Sequence, residues 1–358
     1  MRICFLGHGK SVHIKRWIEF FKNRGHDVHL ITFADIDIKG ISVYNVGSFN
    51  INSNGGNWRY IGKVREIRRL LKMISPDIIN AHYVTSYGFI GALTGFKPLV
   101  LSAWGSDILV TPKENIVYKM ITKFALKKAD LVTSDSNYMT KEILNLTDTR
   151  TITVPMGVER ELCNLERCED STEYRVLSLR SIDKNSNIDL IVKAFSVFVN
   201  KYNHKSAKLI LVNDGPEMDN IKKLISEENI EDNVEIKGFV QREELLKLLL
   251  SSNIYISIPT SDSTSVTLLE AMASGIINIV SDIPANTEWI QDGVNGIIVK
   301  GNDIDSTAGS IQSAIDNSKL KQDSIKINRD IILKRALWDD NMKYIEQEYM
   351  KLLDKEIK

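Results

Sequence analysis

Short runs of aliphatic and β-branched residues alternate along the chain with longer segments whose apolar positions recur at helical spacing. The run at residues 2–6 leads into Gly7-His8-Gly9-Lys10-Ser11; a helical pattern over 12–23 follows and stops at Gly25 before a second run at 28–33. Further runs fall at 41–46, 76–80, 98–103, 131–134 and 151–154, with helices expected over 58–73, 116–128 and 137–144. Residues 161–173 are charged and lack a sustained apolar pattern, and the alternation then restarts. Strands expected at 175–179, 208–213, 234–236, 254–258 and 276–280 are separated by helices at 188–199, 218–228 and 242–251, and by one that ends at Gly275. A short helix at 287–290 and helices near 306–317 and 338–353 complete the reading. This pattern predicts an α/β protein built of two Rossmann-like parallel-sheet domains facing each other across a cleft. The expected division is 1–160, a linker, 171–335, and a C-terminal helix at 336–358.

At 358 residues the chain exceeds the ~250–300 at which one core stops growing, which supports two domains. Basic and acidic residues balance at 46 each, which argues against a dedicated nucleic-acid binder. The three cysteines, Cys4, Cys163 and Cys168, lack partners at zinc-site spacing and fit a reducing compartment without a structural metal. The apolar run before Gly7 is too short for a signal peptide. The weakly polar segment 83–104 is broken at Lys97-Pro98, so no membrane span is expected.

Candidate chemistry gathers where strands end, because open parallel sheets bind ligands outside the carboxyl ends of their strands. Between Ser257 and Gly275 an apolar run enters a Pro/Ser/Thr/Asp loop and then a helix carrying Glu270. Amides at such a helix start, around Ser265, Val266 and Thr267, suit an anion. The Glu270 carboxylate suits vicinal hydroxyls such as a ribose pair, and Asp262 those of a second sugar; a polar connection with a solvated glutamate is the plain alternative. Arg180 ends one strand and Lys184 follows, cations suited to a diphosphate and to charge on a leaving group, or else to a surface ion pair. Asp214-Gly215 and Gly238-Phe239 follow the next two strands, where glycine admits a ligand close to backbone and Phe239 fits beside a flat base or joins the core.

In the first half, Gly7-His8-Gly9 lacks the third glycine of the dinucleotide fingerprint, leaving Gly9, Lys10 and His13 to face another polar ligand, an acceptor. His82 and Tyr83 after one strand, and Trp104 and Asp107 after the next, would line the same crevice, with a core role equally open for His82 and Asp107. Residues 40–57, rich in Asn, Ser and Gly, read as a mobile loop suited to a lid or an acceptor site. The helix at 58–73 carries Lys63, Arg65, Arg68, Arg69 and Lys72, either a solvated face or a surface for anionic lipid or a phosphorylated acceptor. Together these groups predict glycosyl transfer from a nucleoside diphosphate sugar held by one domain to an acceptor held by the other. Asp-x-Asp spacing occurs only in connections, at 35–37 and 303–305, so neither an obligatory metal nor another cofactor is expected.

Nearly the whole chain resembles the retaining family 4 of nucleotide-sugar glycosyltransferases, which have the GT-B fold. The resemblance rests on Leu268-Leu269-Glu270-Ala271-Met272-Ala273-Ser274-Gly275, Ser281-Asp282-Ile283-Pro284, Glu288 and Asp292-Gly293-Val294-Asn295-Gly296. Val154-Pro155-Met156-Gly157-Val158, Asp214-Gly215-Pro216-Glu217 and Gly238-Phe239-Val240 add to it. It implies a donor in the second domain, with Arg180 and a lysine just after it on the diphosphate, Glu270 on the ribose and Asp262 near the anomeric carbon. It also implies a final helix packed on the first domain and a product that keeps the donor's α configuration. Three positions depart from the family pattern. Asp262 replaces a glutamate, Trp104 replaces the histidine before Gly-x-Asp, and Asn187-Ile188-Asp189-Leu190 replaces a Lys-Gly run, with Arg180 and Lys184 one residue closer than usual.

The resulting expectation is a cytoplasmic, metal-independent glycosyltransferase using a UDP- or GDP-sugar. It would extend a glycan or lipid-linked acceptor in surface polysaccharide synthesis, peripherally bound at the inner membrane face through residues 58–73. The alternatives are a sugar-nucleotide binding or scaffold subunit of the same fold, and a nucleotide-sugar epimerase or phosphorylase.

Overall fold

The computed structural model describes residues 1–47, 58–167, 173–301 and 303–356. The chain forms two compact units, Met1–Pro155 with Asp339–Lys358, and Met156–Trp338. Most of the loop read at 40–57 lies outside the described residues, as does Cys168.

The first unit is built on seven strands, β1 (Arg2–Leu6), β2 (Asp27–Thr32), β3 (Ser42–Asn45), β4 (Ile78–His82), β5 (Leu99–Ser102), β6 (Leu131–Ser134) and β7 (Thr151–Thr153). They pair in parallel in the order β3-β2-β1-β4-β5-β6-β7. Helices cover both faces of such a sheet, so its central strands are apolar throughout; Ile3, Cys4, Phe5 and Leu6 are all fully buried. The last helix, Trp338–Glu356, contributes Glu346 to His26 at 2.6 Å and to Arg24 at 2.9 Å. Tyr349 stacks on Phe21 and Glu348 pairs with Arg150, so this helix belongs to the first unit by both packing and charge.

The second unit holds β8 (Arg175–Ser178), β9 (Lys208–Val212), β10 (Val234–Gly238), β11 (Ile254–Ser257), β12 (Ile277–Ser281) and β13 (Ile297–Val299). Their order is β10-β9-β8-β11-β12-β13, again parallel. In both sheets the strand order reverses beside the first strand, between β1 and β4 and between β8 and β11. At those lines adjacent connections leave in opposite directions and open a crevice at the carboxyl ends.

Three expectations need correction. The short helix occupies Pro284–Thr287 rather than 287–290, because proline is preorganised for the first helical turn. A helix at Ser318–Arg335 was not foreseen; its buried side chains are Leu320, Ser324, Asn328 and Ile332, two of them polar, so the stripe is invisible as hydropathy. The linker at 161–173 is partly structure: Arg160–Asn164 is a 3-10 turn that sets Leu162 and Cys163 in the second unit's core, and the chain changes units at 155–156 instead.

At that crossing Gly157 has φ 71°, and a Cβ there would lie 2.8 Å from Ala336 O and Trp338 N. Val158 bonds Ala336 O at 2.8 Å and Trp338 N at 2.9 Å beside it, so the backbone has no room to give. Gly157→Ala is expected to lower unfolding free energy by about 2–3 kcal/mol in urea titrations. Gly25→Ala, at φ 81° but in open space, is expected to cost about 1 kcal/mol.

Candidate functional site

The second unit brings its candidate residues to the reversal line. Arg180, just past β8, reaches across to Asp262, in the loop after β11, with Nη1 2.6 Å from Oδ2. Both side chains are mostly buried, and Asp262 also accepts from the Ser263 amide at 2.9 Å. Burial opposes the Arg180 charge, but Asp262 and its neighbours hold the guanidinium pKa above its ordinary value. Two asparagines lock the loops around the pair. Asn185 accepts from the Ser261 amide at 3.0 Å and the Thr260 hydroxyl at 2.7 Å and donates to Ser261 O at 3.0 Å. Asn187 donates to Ile258 O at 2.8 Å from a left-handed conformation, φ 51°. Asparagine tolerates that region where most residues do not, which accounts locally for the departure at 187.

Ser265 caps the helix Val266–Ser274 by accepting from the Leu268 amide, while the amides of Val266 and Thr267 have no acceptor within the helix. Thr267 is fixed by Ser265 at 3.0 Å and by Tyr255 at 2.8 Å, and burial raises the Tyr255 phenol pKa. Glu270, one turn further on, is buried and paired with Arg242, whose other terminal nitrogen lies 2.8 Å from Glu159. Arg242 escaped the sequence reading. Its signal was a cation at the first position of the helix Arg242–Ser251, an end whose dipole disfavours positive charge unless acids hold it.

The remaining second-unit candidates divide. Phe239 is 73% exposed beside Gly238, which has φ 65° and open space around it, so of its two readings the core one does not hold. Lys184 is exposed, without a hydrogen bond or ion pair among the described residues. Asp214 is exposed and its carboxylate accepts from the Gly215 amide at 2.7 Å. Gly215 does not serve a ligand: a Cβ there would meet Ile182 backbone at 2.1 Å, so the close approach is between two protein loops.

In the first unit, His82 and Asp107, for which a place on the crevice and a core role were both open, are buried. His82 is 3% exposed and packs among Phe5, Trp17 and Trp104. Its Nε2 donates to Asn80 Oδ1 at 2.7 Å, and Asn80 donates in turn to Ser102 at 2.9 Å. Burial, with the nearby His13, pushes its pKa down to about 3. His13, whose ring lies 4.8 Å from Trp104, falls to about 4 through burial and Arg16. Asp107 is fully buried, accepts from the amides of Val84 at 2.7 Å and Trp104 at 3.0 Å, and is pushed up to about 6 by burial. It is a clamp on the turn at Gly105, which has φ 116°.

Tyr83 holds φ 72° at the carboxyl end of β4, with its hydroxyl 2.9 Å from Ser106 and its pKa raised to about 12 by burial and Asp107. Gly9 is buried, donates to Thr32 at 3.1 Å and would meet Ile36 if it carried a Cβ, whereas Lys10 is exposed. Along the basic helix, Lys63 pairs with Glu66 at 2.8 Å, and Arg68 donates to Leu93 O and Thr94 O; Arg65, Arg69 and Lys72 stay exposed. Among the described residues no cluster of three metal-binding side chains forms, and no helix is long and apolar enough to cross a membrane.

Two family models match, a glycosyl transferase 4-like model over residues 2–136 and a glycosyl transferases group 1 model over 166–330. N-acetyl-alpha-D-glucosaminyl L-malate synthase of Bacillus anthracis is 24% identical over 82% of this chain and 80% of its own. Alpha-monoglucosyldiacylglycerol synthase of Acholeplasma laidlawii is 22% identical over 78% of each. Among solved structures, sucrose-phosphate synthase from Thermosynechococcus elongatus superposes over 99% of this chain and 100% of its own, with TM-score 0.85 and 17% identity. An Anabaena protein, HepE, in complex with UDP superposes over 98% and 100%, with TM-score 0.80 and 17% identity.

The burial of His82 has a measurable consequence. Between the ordinary imidazole pKa of 6.5 and about 3, the unfolded chain takes up a proton at this residue that the native chain does not. Stability is therefore expected to fall as pH drops through that window, and less steeply in His82→Phe. Asp107 acts in the opposite sense between 3.8 and about 6 in both proteins, so the difference between their denaturation slopes isolates His82. Equal slopes would mean that His82 titrates in water.

Proposed function

The chain is a GT-B glycosyltransferase related to the family 4-like and group 1 enzymes, and on that premise we propose a retaining, metal-independent transfer from a nucleoside diphosphate sugar to a glycan or lipid-linked acceptor. The observation that carries the donor assignment is the Arg180–Asp262 pair at the strand-order reversal, next to the start of the helix that carries Glu270. In this reading the diphosphate lies against Arg180, Lys184 and the amides of Val266 and Thr267. Its ribose hydroxyls donate to Glu270, the base lies along Gly238 and Phe239, and Asp262 takes hydroxyls of the sugar. HepE structures with UDP and with UDP-glucose support a uridine donor. The name of the Acholeplasma relative, a glucosyldiacylglycerol synthase, supports a lipid acceptor.

The proposed reaction breaks the bond from the anomeric carbon to the diphosphate while an acceptor hydroxyl adds from the same face. The departing phosphate oxygen takes the acceptor's proton, so no side-chain base is required. That assignment fits the first unit, where both His82 and Asp107 are buried and committed to internal partners. Arg180 and the helix amides offset the charge that grows on the leaving diphosphate. Arg242 is a positioning residue: it holds Glu270 in one orientation, with Glu159 as its second anchor.

A panel of UDP- and GDP-sugars, assayed for transfer and for slow hydrolysis, tests the proposal; no turnover of any of them by folded protein would sink it. Glu270→Ala is expected to reduce kcat/KM by about 10- to 100-fold, the loss of a charge-assisted hydrogen-bond pair. Arg242→Gln is expected to raise the donor KM about tenfold with little change in kcat, because uniform binding is lost and not a transition-state contact. Turnover is expected to survive excess EDTA, and an activity that vanished with chelator and returned with magnesium would refute metal independence.

A further inference from the structure

The helix Ile116–Lys128 in the first unit buries Ala125 and Leu126 in the core but also carries large apolar residues on its outer face, of which Phe124 packs edge-on against Phe89 at 5.7 Å. Its buried side chains are Thr122, Ala125 and Leu126. Its exposed face carries Ile116 at 68%, Met120 at 65% and Phe124 at 37%, spaced by four residues and so aligned in one row, with Val117 at 45% beside them. A single exposed leucine or methionine would need no account, but a contiguous row does. Lys119 and Lys123 run along one edge of that row, and Lys127 and Lys128 close its C-terminal end. No acidic residue occurs in the helix; Glu114 lies two residues before it and Asp130 two residues after it, the latter paired with Lys97 at 2.7 Å. Lys119, Lys123 and Lys127 take no ion pair among the described residues. An apolar row bordered by cations of one sign is the pattern of a helix that lies in a bilayer interface.

We propose that the chain docks on an anionic lipid bilayer through this helix, with Ile116, Met120 and Phe124 set at headgroup depth and the lysines over acidic headgroups. Charge decides between this occupant and a second copy of the chain. A two-fold contact would place the same face against itself and bring the two lysine sets together, with only Glu114 and Glu142 near them, the latter already paired with Lys113 at 3.2 Å. The helix Val64–Ile74, where basic residues first suggested a membrane surface, fits less well. Its buried side chains are Val64, Ile67, Leu71 and Ile74, so its apolar stripe is used by the core, and Arg68 is spent on backbone carbonyls. The inference goes beyond the transferase reading, to which it adds a location where a lipid-linked acceptor is found.

Flotation of the full chain with vesicles of phosphatidylcholine alone, or mixed with phosphatidylglycerol, tests it. Binding is expected to the mixed vesicles only. It is expected to weaken about tenfold or more in Ile116→Ser/Met120→Ser and in Lys119→Glu/Lys123→Glu, and to change little in Arg65→Glu/Arg69→Glu. All six positions are exposed, so unfolding midpoints are expected to stay near the parent's and report any loss of fold. Equal binding to neutral vesicles, binding unaffected by the serine pair, a loss that follows Arg65 and Arg69 instead, or no binding to either vesicle would overturn the proposal. A dimer that disappears in the serine pair, without vesicle binding, would assign the face to a second copy. Donor turnover measured without vesicles keeps the two readings separate, because docking can fail while turnover persists, and the reverse.

Discussion

Arg180 and Asp262 meet across the line where the second sheet reverses its strand order, and the rest of that unit's candidate site is arranged around them. Parallel pairing forces each connection to return along a face of the sheet, so functional loops accumulate at one end. At the reversal, two neighbouring loops separate and leave a gap that must be held open without collapsing. The ion pair spans that gap, and Asn185 and Asn187 stitch its two sides through Ser261 and Ile258. Glu270 then sits on a helix whose start is fixed by Ser265 and whose carboxylate is fixed by Arg242. The geometry is set by the protein's own contacts.

The first unit uses similar residue types to a different end. His82 and Asp107 lie at strand ends and have side chains suited to acid–base work, yet each is consumed by the backbone or the core beside it. Burial favours the neutral form of both, lowering the histidine pKa and raising that of the aspartate. The strained backbone at Tyr83 and Gly105 shows where that end of the sheet is shaped. Topology brings residues to a crevice, but only the local packing decides which of them face it.

Much of this architecture was legible in the sequence because a buried parallel sheet writes itself as apolar runs. All the runs expected in the two sheets through 276–280 correspond to strands, and the glycine stop at Gly275 has φ 77°. The helix Ser318–Arg335 was hidden because Ser324 and Asn328 fill half of its buried face, where Asn328 exchanges hydrogen bonds with Asn295 of the Asp292–Gly296 turn. That turn helped to identify the family by its letters, and its visible work is to hold backbone. Among the site residues, Glu270 could be named from its motif, but its partner Arg242 lies 28 positions away and only folding joins them. The exposed apolar row of Ile116–Lys128 was missed for a related reason: a helical period says that apolar positions exist, not which of them the core uses.

The pairing of Arg180 with Asp262 also means that the described site contains its own counter-ion. An incoming anion does not find a bare cation; it must take over part of a contact already satisfied by a carboxylate. A singly charged ligand gains little from that exchange, since one negative charge merely stands in for another. A ligand that also engages Lys184 and the helix amides gains more than it displaces. On the proposed reading, a preference for a diphosphate over a lone carboxylate thus follows from a contact the protein makes with itself.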